Sequence, residues 1–405
     1  MSSLKYWIWL SSAEISADAK AAVLMHYGGA DRAFLSPTGD FSAVGRLSKR
    51  DRELLEKRDM TMVDRILEKC DMQGIDIVTY QDARYPRRLR SIYSPPVALY
   101  VKGRLPAIDE NAVIAVVGTR EASPYGIKMS RTIACGIARC GGMVASGLTR
   151  GIDAAAAEGA LYGGGVVIGV LGTCHANNES ALAAEVAGRG ALISEYAPYT
   201  ETRRLHFRER NRITSGISVG VVAVEAPEGS NTRLFVQEAA EQGREIFAVP
   251  GNADAANSVE TNSMIKDGAH TVTCAWEILE EFEGMYPGKI RKALSSDSAE
   301  AVEYARCAVP AKHYSAHEKH KPTKKEVDKP QNTGYIDLQE QLSDLSENQL
   351  KIIAAIEKSA SHIDDIIEST GLSAACVLSQ LTVLEIKGYV RREAGRRIVL
   401  NITKK

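Results

Sequence analysis

The sequence lacks the features that mark exported or membrane-spanning proteins. Its seven cysteines are scattered, odd in number and without a Cys-x-x-Cys pair, which indicates a reducing compartment rather than a disulfide framework. No apolar run reaches the roughly 18 residues needed to span a bilayer. The N-terminal residues show no cationic region leading into an apolar segment and a cleavage site. We therefore expect a cytoplasmic protein with no membrane partner.

The sequence also lacks common signatures of nucleotide-binding and catalytic sites. It contains neither the Gly-x-Gly-x-x-Gly fingerprint nor the Gly-x4-Gly-Lys-Ser/Thr phosphate loop. No Ser/His/Asp or Cys/His set is evident. His313, His317 and His320 have spacing that would suit metal ligands on a helix face, but no Cys or carboxylate cluster completes a site. We expect no catalytic residue, no metal and no cofactor.

Positive and negative charges are nearly balanced, because the sequence has 50 Lys and Arg residues and 51 Asp and Glu residues, for a net charge of −1. No field over the whole surface attracts nucleic acid, so an anion site has to be local. With 405 residues, 44% of them hydrophobic, the chain is long enough for two or three domains with a sizeable core.

Composition and periodicity predict four regions. Residues 1–73 carry apolar faces at helical spacing and predict a small helical domain. Residues 74–285 form an α/β domain. Residues 286–343 read as a flexible linker, because the stretch 311–330 is rich in lysine and poor in large apolar residues. Residues 344–405 predict three helices and a hairpin turned at Ala394-Gly395, which is the winged-helix plan.

The α/β prediction starts from the apolar run Val113–Val117, which stops at Gly118 and precedes a helix start at Ser123-Pro124. Short apolar strands then alternate with helices, one of them over 205–216. This alternation predicts an extended Rossmann-like, doubly wound and mostly parallel sheet. The strands are predicted at 113–117, 143–146, 166–171, 191–194, 219–224, 245–249 and 270–273.

Glycine-containing loops follow the strands and gather at one edge of such a sheet, where backbone N–H groups and helix N-termini suit an anion. Arginines in these loops add forked donors for phosphate. The candidate contacts in the first two loops are Gly118, Thr119, Arg120, Ser146, Gly147, Thr149, Arg150 and Gly151. In the alternative interpretation, Gly147 and Gly151 serve tight turns only and Arg150 pairs with Asp153.

The densest basic stretch is residues 203–212, with five arginines around one aromatic residue. Cations that follow a backbone, with an aromatic side chain for base stacking, suit single-stranded nucleic acid. On a continuous helix Arg208 and Arg212 lie four residues apart on one face, and Arg210 and Asn211 complete the candidate set. The alternative is a solvated helix face.

Several ordered motifs are similar to those of the DNA-processing protein A (DprA/Smf) family. They are Val116-Val-Gly-Thr-Arg120, Ser146-Gly-Leu-Thr-Arg-Gly-Ile-Asp-Ala154, Val170-Leu-Gly-Thr173, Leu192-Ile-Ser-Glu195, Arg210-Asn-Arg-Ile213, Glu241-Gln-Gly-Arg-Glu-Ile-Phe-Ala-Val-Pro-Gly251 and Asn262-Ser-Met-Ile-Lys-Asp-Gly-Ala269. The resemblance covers roughly residues 75–280, and the helical (SAM-like) front and the winged-helix tail resemble the family more weakly. The stretch Phe207-Arg-Glu-Arg-Asn-Arg212 departs from the family's Phe-Pro-x-Arg-Asn-Arg.

The resemblance implies a binding protein rather than an enzyme. Members bind single-stranded DNA in the cytoplasm, protect incoming strands during natural transformation and hand them to the RecA recombinase, commonly as homodimers formed through the Rossmann-like domain. Carried over by position, Arg120, the loop from Ser146 to Asp153, and Arg210 to Arg212 become the DNA-facing residues.

Other functions stay open at this stage. The same edge would hold a mononucleotide, with Glu195 or Glu225 as a base, which is the nucleotide-processing alternative. A third interpretation is a transcription regulator whose winged helix reads duplex DNA. The basic tail after residue 387 suits phosphates, but the apolar third helix disfavours base readout.

Overall fold

The computed structural model describes residues 3–37, 40–177 and 180–292, and then 347–356, 361–373, 377, 380–381, 384, 390–393 and 397–400. The chain divides into two structural units, Met1–Lys319 and His320–Lys405. Most of the predicted linker, with its three histidines and Cys307, lies outside the described residues, as does Cys376.

The first unit opens with a helical part, as predicted. Its helices are α1 (Leu4–Ser12), α2 (Ala17–Tyr27), α3 (Ala30–Leu35), α4 (Lys49–Glu56) and α5 (Thr61–Gln73). Ser16 and Ser48 cap α2 and α4 by accepting backbone N–H groups. Trp7 of α1 and Leu55 of α4 are buried in one hydrophobic cluster, which we call the helical cluster, together with Phe41 from the segment between α3 and α4.

Nine strands follow and form a single sheet. They are β1 (Ile75–Thr79), β2 (Ala98–Gly103), β3 (Val113–Val117), β4 (Met143–Ser146), β5 (Val167–Leu171), β6 (Ala191–Ser194), β7 (Gly220–Ala223), β8 (Glu245–Ala248) and β9 (His270–Thr271). Their order is β1-β2-β6-β5-β4-β3-β7-β8-β9. Strands β3 to β9 pair in parallel, whereas β1 and β2 add an antiparallel edge. The predicted mostly parallel sheet is confirmed.

Helices cover both faces of the sheet, so the doubly wound prediction is also confirmed. They are α6 (Arg87–Arg90), α7 (Pro124–Arg139), α8 (Ile152–Tyr162), α9 (Ala181–Arg189), α10 (Arg204–Glu209), α11 (Asn211–Ile217), α12 (Asn231–Glu241), α13 (Val259–Lys266) and α14 (Trp276–Leu279). One cluster gathers residues of α7, α8, α9 and α14. The cluster on the other face gathers residues of α6, α11, α12 and α13.

Two details differ from the sequence-based expectation. The single helix predicted over 205–216 is wrong, because α10 ends at Glu209 and α11 begins at Asn211. The packed part of the α/β region also continues past residue 285, since Tyr286 and Ile290 are buried in the cluster that contains α7 and α8.

The second unit contains the predicted helices and hairpin. Two helices span Glu347–Ile356 and Ile363–Thr370, and residues 377, 380–381 and 384 are helical. Strands β11 (Val390–Glu393) and β12 (Arg397–Leu400) pair in antiparallel fashion, and a short strand β10 (Ser361–His362), which was not predicted, joins the other side of β12. The expected turn at Ala394-Gly395 lies outside the described residues. In the described part of the chain, no helix is long and apolar enough to cross a lipid bilayer.

Candidate nucleic-acid interface

The chain order of the parallel strands reverses between β3 and β7, which makes this pair the switch point of the sheet. Ligands of open α/β sheets bind outside the carboxyl ends of the strands at such a point. The β3 loop begins there, with the Thr119 N–H donating to the Glu225 carbonyl oxygen at 2.8 Å. We use the name strand-end rim for the loops 118–123, 147–151 and 172–175 together with α10.

The loop after β4 is folded tightly by its own side chains. The buried Ser146 hydroxyl donates to the Asp153 carbonyl oxygen at 2.8 Å, and the Thr149 hydroxyl donates to the Asp153 carboxylate at 2.8 Å. Gly151 has φ +83°, and a Cβ atom there would collide with the Thr119 carbonyl oxygen. Glycine therefore brings the β3 and β4 loops into direct contact.

Arg150 does not pair with Asp153, so that alternative is wrong. Its guanidinium lies 3.2 Å from the Glu121 carboxylate, and the two side chains are 70% and 85% exposed. An ion pair this exposed is weak, so Arg150 can exchange Glu121 for another anion at little cost.

Arg120 and α10 meet on one aromatic ring. The exposed Arg120 guanidinium lies 5.9 Å from the centroid of Phe207, within the range of a cation–π contact. The Phe207 ring in turn packs on the β5 loop, where a Cβ atom at Gly172 would lie 2.9 Å from it. Arg208, the next residue of α10, is exposed. The rim therefore carries an aromatic ring with one exposed arginine over it, and a second exposed arginine follows that ring in the chain.

Arg210 forms the floor of the rim. It is 6% exposed, and its Nη1 donates to the Val170 carbonyl oxygen at 3.1 Å. The guanidinium occupies the space that a Cβ atom at Gly147 would fill. Its buried Nε has no hydrogen-bond partner in the described part of the chain. A buried donor without a partner is costly, so the site is suited to an additional acceptor.

Asp153 and Arg210 shift each other's protonation. Burial raises the pKa of Asp153, and Arg210, the Thr149 hydroxyl, Arg120 and the Gly118 N–H oppose that rise. Burial lowers the pKa of Arg210, which Asp153 opposes and Arg120 reinforces. The floor of the rim thus places one acidic and one basic side chain, each acting on the pKa of the other, near the exposed Arg120.

Arg212 and Asn211 occupy different environments from Arg208. Arg212 is 6% exposed and donates from Nη2 to both oxygens of Glu195 at 2.7 Å, whereas Asn211 is half-buried. Burial opposes the charge of Arg212, but Glu195 with Tyr196 and Glu209 raises the pKa of the guanidinium above its ordinary value. The continuous helix on which Arg208 and Arg212 would share a face is not formed, because the helix restarts at Asn211, and Glu195 holds Arg212 inside.

The two carboxylates considered as bases are both engaged. Glu195 is bound to Arg212, as described above. Glu225 is 2% exposed and accepts the Ser123 N–H at 2.9 Å, the Ser123 hydroxyl and the Asn257 side-chain amide at 3.2 Å. Glu225 therefore fixes the start of α7.

A cavity that the sequence did not predict lies beside Glu225. It measures about 620 Å³ and is bordered by Ser123, Tyr125, Glu225, Pro250, Gly251, Asn252, Ala255, Ala256, Asn257 and Ser258. No lysine or arginine borders it, so it suits an uncharged ligand better than a phosphate. Pro250 and Gly251 directly follow the strand predicted at 245–249, but the contribution of residues 252–258 carries no short-range signal in the sequence.

Among the described residues, no group of three or more His, Cys, Asp or Glu side chains is placed to hold a metal ion. In this part of the chain the thiols at 70, 135, 140 and 174 are buried, Cys274 is exposed, and none of the five forms a disulfide.

The fold and the rim define a Rossmann-like protein with several arginines at its strand ends. Two family profiles match the chain, "DNA recombination-mediator protein A" over residues 76–283 and "DprA winged helix domain" over residues 338–396. The chain belongs to the DNA recombination-mediator protein A (DprA/Smf) family, as the motifs predicted, and its C-terminal unit belongs to the winged-helix class.

Curated relatives carry names of the same family. "DNA processing protein DprA" of Bacillus subtilis is 34% identical over 221 residues, which are 54% of this chain and 74% of the relative. "Protein Smf" of Synechocystis is 29% identical over 371 residues, 88% of each chain. Among solved structures, the X-ray structure of DNA processing protein A from Streptococcus pneumoniae matches with a TM-score of 0.60 and 31% identity, and the match covers 69% of this chain and 98% of that one.

Proposed function

We propose that this chain binds single-stranded DNA along the strand-end rim, protects incoming strands during natural transformation and loads RecA recombinase onto them, without catalysing a reaction. The observation that carries the proposal is the buried Arg210 beneath the exposed Arg120 and the Phe207 ring, with an Nε that finds no hydrogen-bond partner among the residues the structure describes. The membership in a family named for DNA recombination and processing supports the same role.

The rim suits a strand for three physical reasons. The guanidinium groups of Arg120, Arg150 and Arg208 are exposed and can neutralise phosphates. Phe207 offers a ring on which a base stacks without regard to its identity. The proposed contacts are Gly118, Thr119, Arg120, Gly147, Thr149, Arg150, Gly151, Arg208, Arg210 and Asn211, whereas Ser146 and Arg212 support them from inside.

The test is binding of an oligonucleotide at two salt concentrations, as a single strand and as a duplex. Affinity for the single strand is expected to fall steeply with salt, with a log–log slope of about −0.7 per neutralised phosphate. Arg120→Ala and Arg208→Ala should each weaken binding for every sequence alike and reduce the slope by about 0.7.

Arg189→Ala is the matched control. Arg189 is 53% exposed at the end of α9, just before β6 begins, and therefore at the opposite edge of the sheet. The substitution removes the same charge from the protein but should leave affinity unchanged. Equal losses in all three variants would point to net charge alone and would reject the rim.

The finer parts of the proposal need separate measurements. RecA filament assembly on a single strand coated with a competing binding protein should accelerate when the chain is added. Sedimentation should detect a homodimer, which we propose to form through the Rossmann-like domain. Localisation in the cytoplasm is to be tested by cell fractionation.

The nucleotide-processing alternative draws on one observation, the cavity of about 620 Å³ at the switch point. Its volume suits a nucleoside, but Glu195 and Glu225 are both occupied by donors of the chain. Incubation with nucleotides followed by chromatography is the test. Turnover by a protein with no affinity for oligonucleotides would favour this alternative.

A further inference from the structure

Tyr199 presents an aromatic ring from the loop between β6 and α10. Its backbone has φ +72° and its side chain is 50% exposed. A bulky residue in this left-handed region is a rare and unfavourable conformation, and such outliers gather at functional sites. The Thr200 N–H closes the turn on the Ala197 carbonyl oxygen at 3.1 Å, and Ala197 is buried in the helical cluster. Packing below the turn therefore holds Tyr199 out in solvent.

A cation from the helical part lies over this ring. The guanidinium of Arg65, an exposed residue of α5, is 5.4 Å from the centroid of Tyr199. Among the described residues no carboxylate lies within ion-pair distance of Arg65, Arg203 or Arg204. Two exposed arginines lie between the two rings in the chain, Arg203 just before α10 and Arg204 at its first position. The chain thus runs from one aromatic–arginine pair, Tyr199 with Arg65, to another, Phe207 with Arg120.

We propose that Tyr199 and Arg65 form a second subsite for single-stranded nucleic acid, in which a base stacks on Tyr199 and a phosphate binds Arg65. The inference rests on the function proposed above and extends it, because it assigns a direct role to the helical part. An exposed ring beside exposed arginines has the chemistry that a strand recognises without regard to sequence. A nucleic-acid strand that extends from the rim along α10 reaches Tyr199 and Arg65.

The chain offers a matched control for this pair. Tyr162 is 49% exposed and has the Arg139 guanidinium 6.0 Å over its ring. It ends α8, shortly before β5 begins, so it lies at the edge of the sheet opposite the rim. Tyr162→Ala removes an equally exposed aromatic–arginine pair from a surface that we do not expect a strand to contact.

The experiment measures the affinity of the full chain for oligothymidylates of increasing length. For long oligonucleotides, Tyr199→Ala is expected to weaken binding on the order of tenfold, as loss of one stacked base does, and Arg65→Ala should also weaken it. Tyr199→Phe should bind as the wild type does, because the ring remains. For the shortest oligonucleotide that binds the rim, Tyr199→Ala should have no effect. Tyr162→Ala should bind as the wild type at every length.

A second variant separates binding from folding. Tyr199→Gly relieves the left-handed conformation, so its thermal midpoint should rise while its affinity for long oligonucleotides falls. Photo-crosslinking of a strand containing 5-iodouracil, followed by peptide mapping, should identify Tyr199 in the wild type.

Two results would overturn the subsite and leave the proposed function intact. In one, Tyr199→Ala matches Tyr162→Ala at all lengths while Arg120→Ala still weakens binding. In the other, Tyr199→Ala weakens short and long strands equally, which would mean that it acts through the rim. A wild-type chain with no affinity for single strands would reject both proposals.

Discussion

At the scale of single residues, burial separates the arginines of the 203–212 segment into two kinds. Arg203, Arg204 and Arg208 are exposed, whereas Arg210 and Arg212 are each 6% exposed. The charge of Arg212 is compensated by two hydrogen bonds to Glu195. A buried ion pair contributes little compared with an apolar pair, but removal of one partner leaves an uncompensated charge inside the protein.

This difference leads to a stability prediction for Glu195. Glu195→Ala should lower the free energy of unfolding by about 3–5 kcal/mol, because Arg212 remains buried and charged. The double variant Glu195→Leu with Arg212→Met should recover most of that loss. Urea unfolding monitored by circular dichroism measures both. Arg120→Ala, which removes an exposed side chain, should change the unfolding midpoint little.

A loss in the double variant as large as in Glu195→Ala would contradict this account. It would mean that packing around the pair, rather than an unpaired charge, sets the cost.

The sequence predicted that arginines gather at this site but not which of them are buried. Composition and spacing bring Arg208 and Arg212 together on one expected helix face. The carboxylate that holds Arg212 inside comes from Glu195, 17 residues earlier in the chain. A partner at that separation leaves no trace in local periodicity, so exposure could not be read from the pattern.

At the scale of elements, short apolar runs bounded by glycine predicted the parallel strands to within about two residues at either end. Such runs are distinctive because both faces of these strands are buried. The break between α10 and α11 was missed, since residues on both sides keep helical spacing. Loops were predicted as turns, but their mutual contacts, such as Gly151 against Thr119, depend on tertiary packing.

Gly147 provides an element-scale prediction about the β4 loop. A methyl group there would displace the Arg210 guanidinium from the Val170 carbonyl oxygen. Gly147→Ala should therefore reduce affinity for single strands several-fold and cost about 1–3 kcal/mol of stability, as overpacking does. Fluorescence anisotropy and urea unfolding are the measurements.

Gly188→Ala is the control, because no atom lies within 4 Å of the added Cβ position in α9. This substitution should stabilise the protein by about 0.4–1 kcal/mol and leave affinity unchanged. If Gly147→Ala bound strands as tightly as Gly188→Ala, the position of Arg210 would not matter for binding.

At the scale of the whole molecule, the predicted boundary between residues 73 and 74 falls between the helical part and the first strand. It does not fall between two hydrophobic cores. The helical cluster includes Ile75 and Ile77 of β1 and Ala98 and Tyr100 of β2, together with residues of α1 to α5. The Tyr100 hydroxyl also lies 2.8 Å from the Ser11 hydroxyl. Periodicity identifies helices and strands, but it does not reveal which of them share a hydrophobic core.

The shared core predicts how fragments of the chain behave. A fragment of residues 74–292 would expose the β1 and β2 side chains that the helices cover, and a large exposed apolar patch favours aggregation. A fragment of residues 1–292 keeps all three hydrophobic clusters of the first unit, to which the described residues from 347 onward contribute nothing.

The longer fragment should therefore unfold at the same urea midpoint as the first unit of the full chain. The shorter one should be less stable, bind an apolar dye and aggregate on concentration. Equal midpoints for the two fragments would mean that the sheet is stable without the helices, and that the contacts of Tyr100 and Ile77 contribute little to folding.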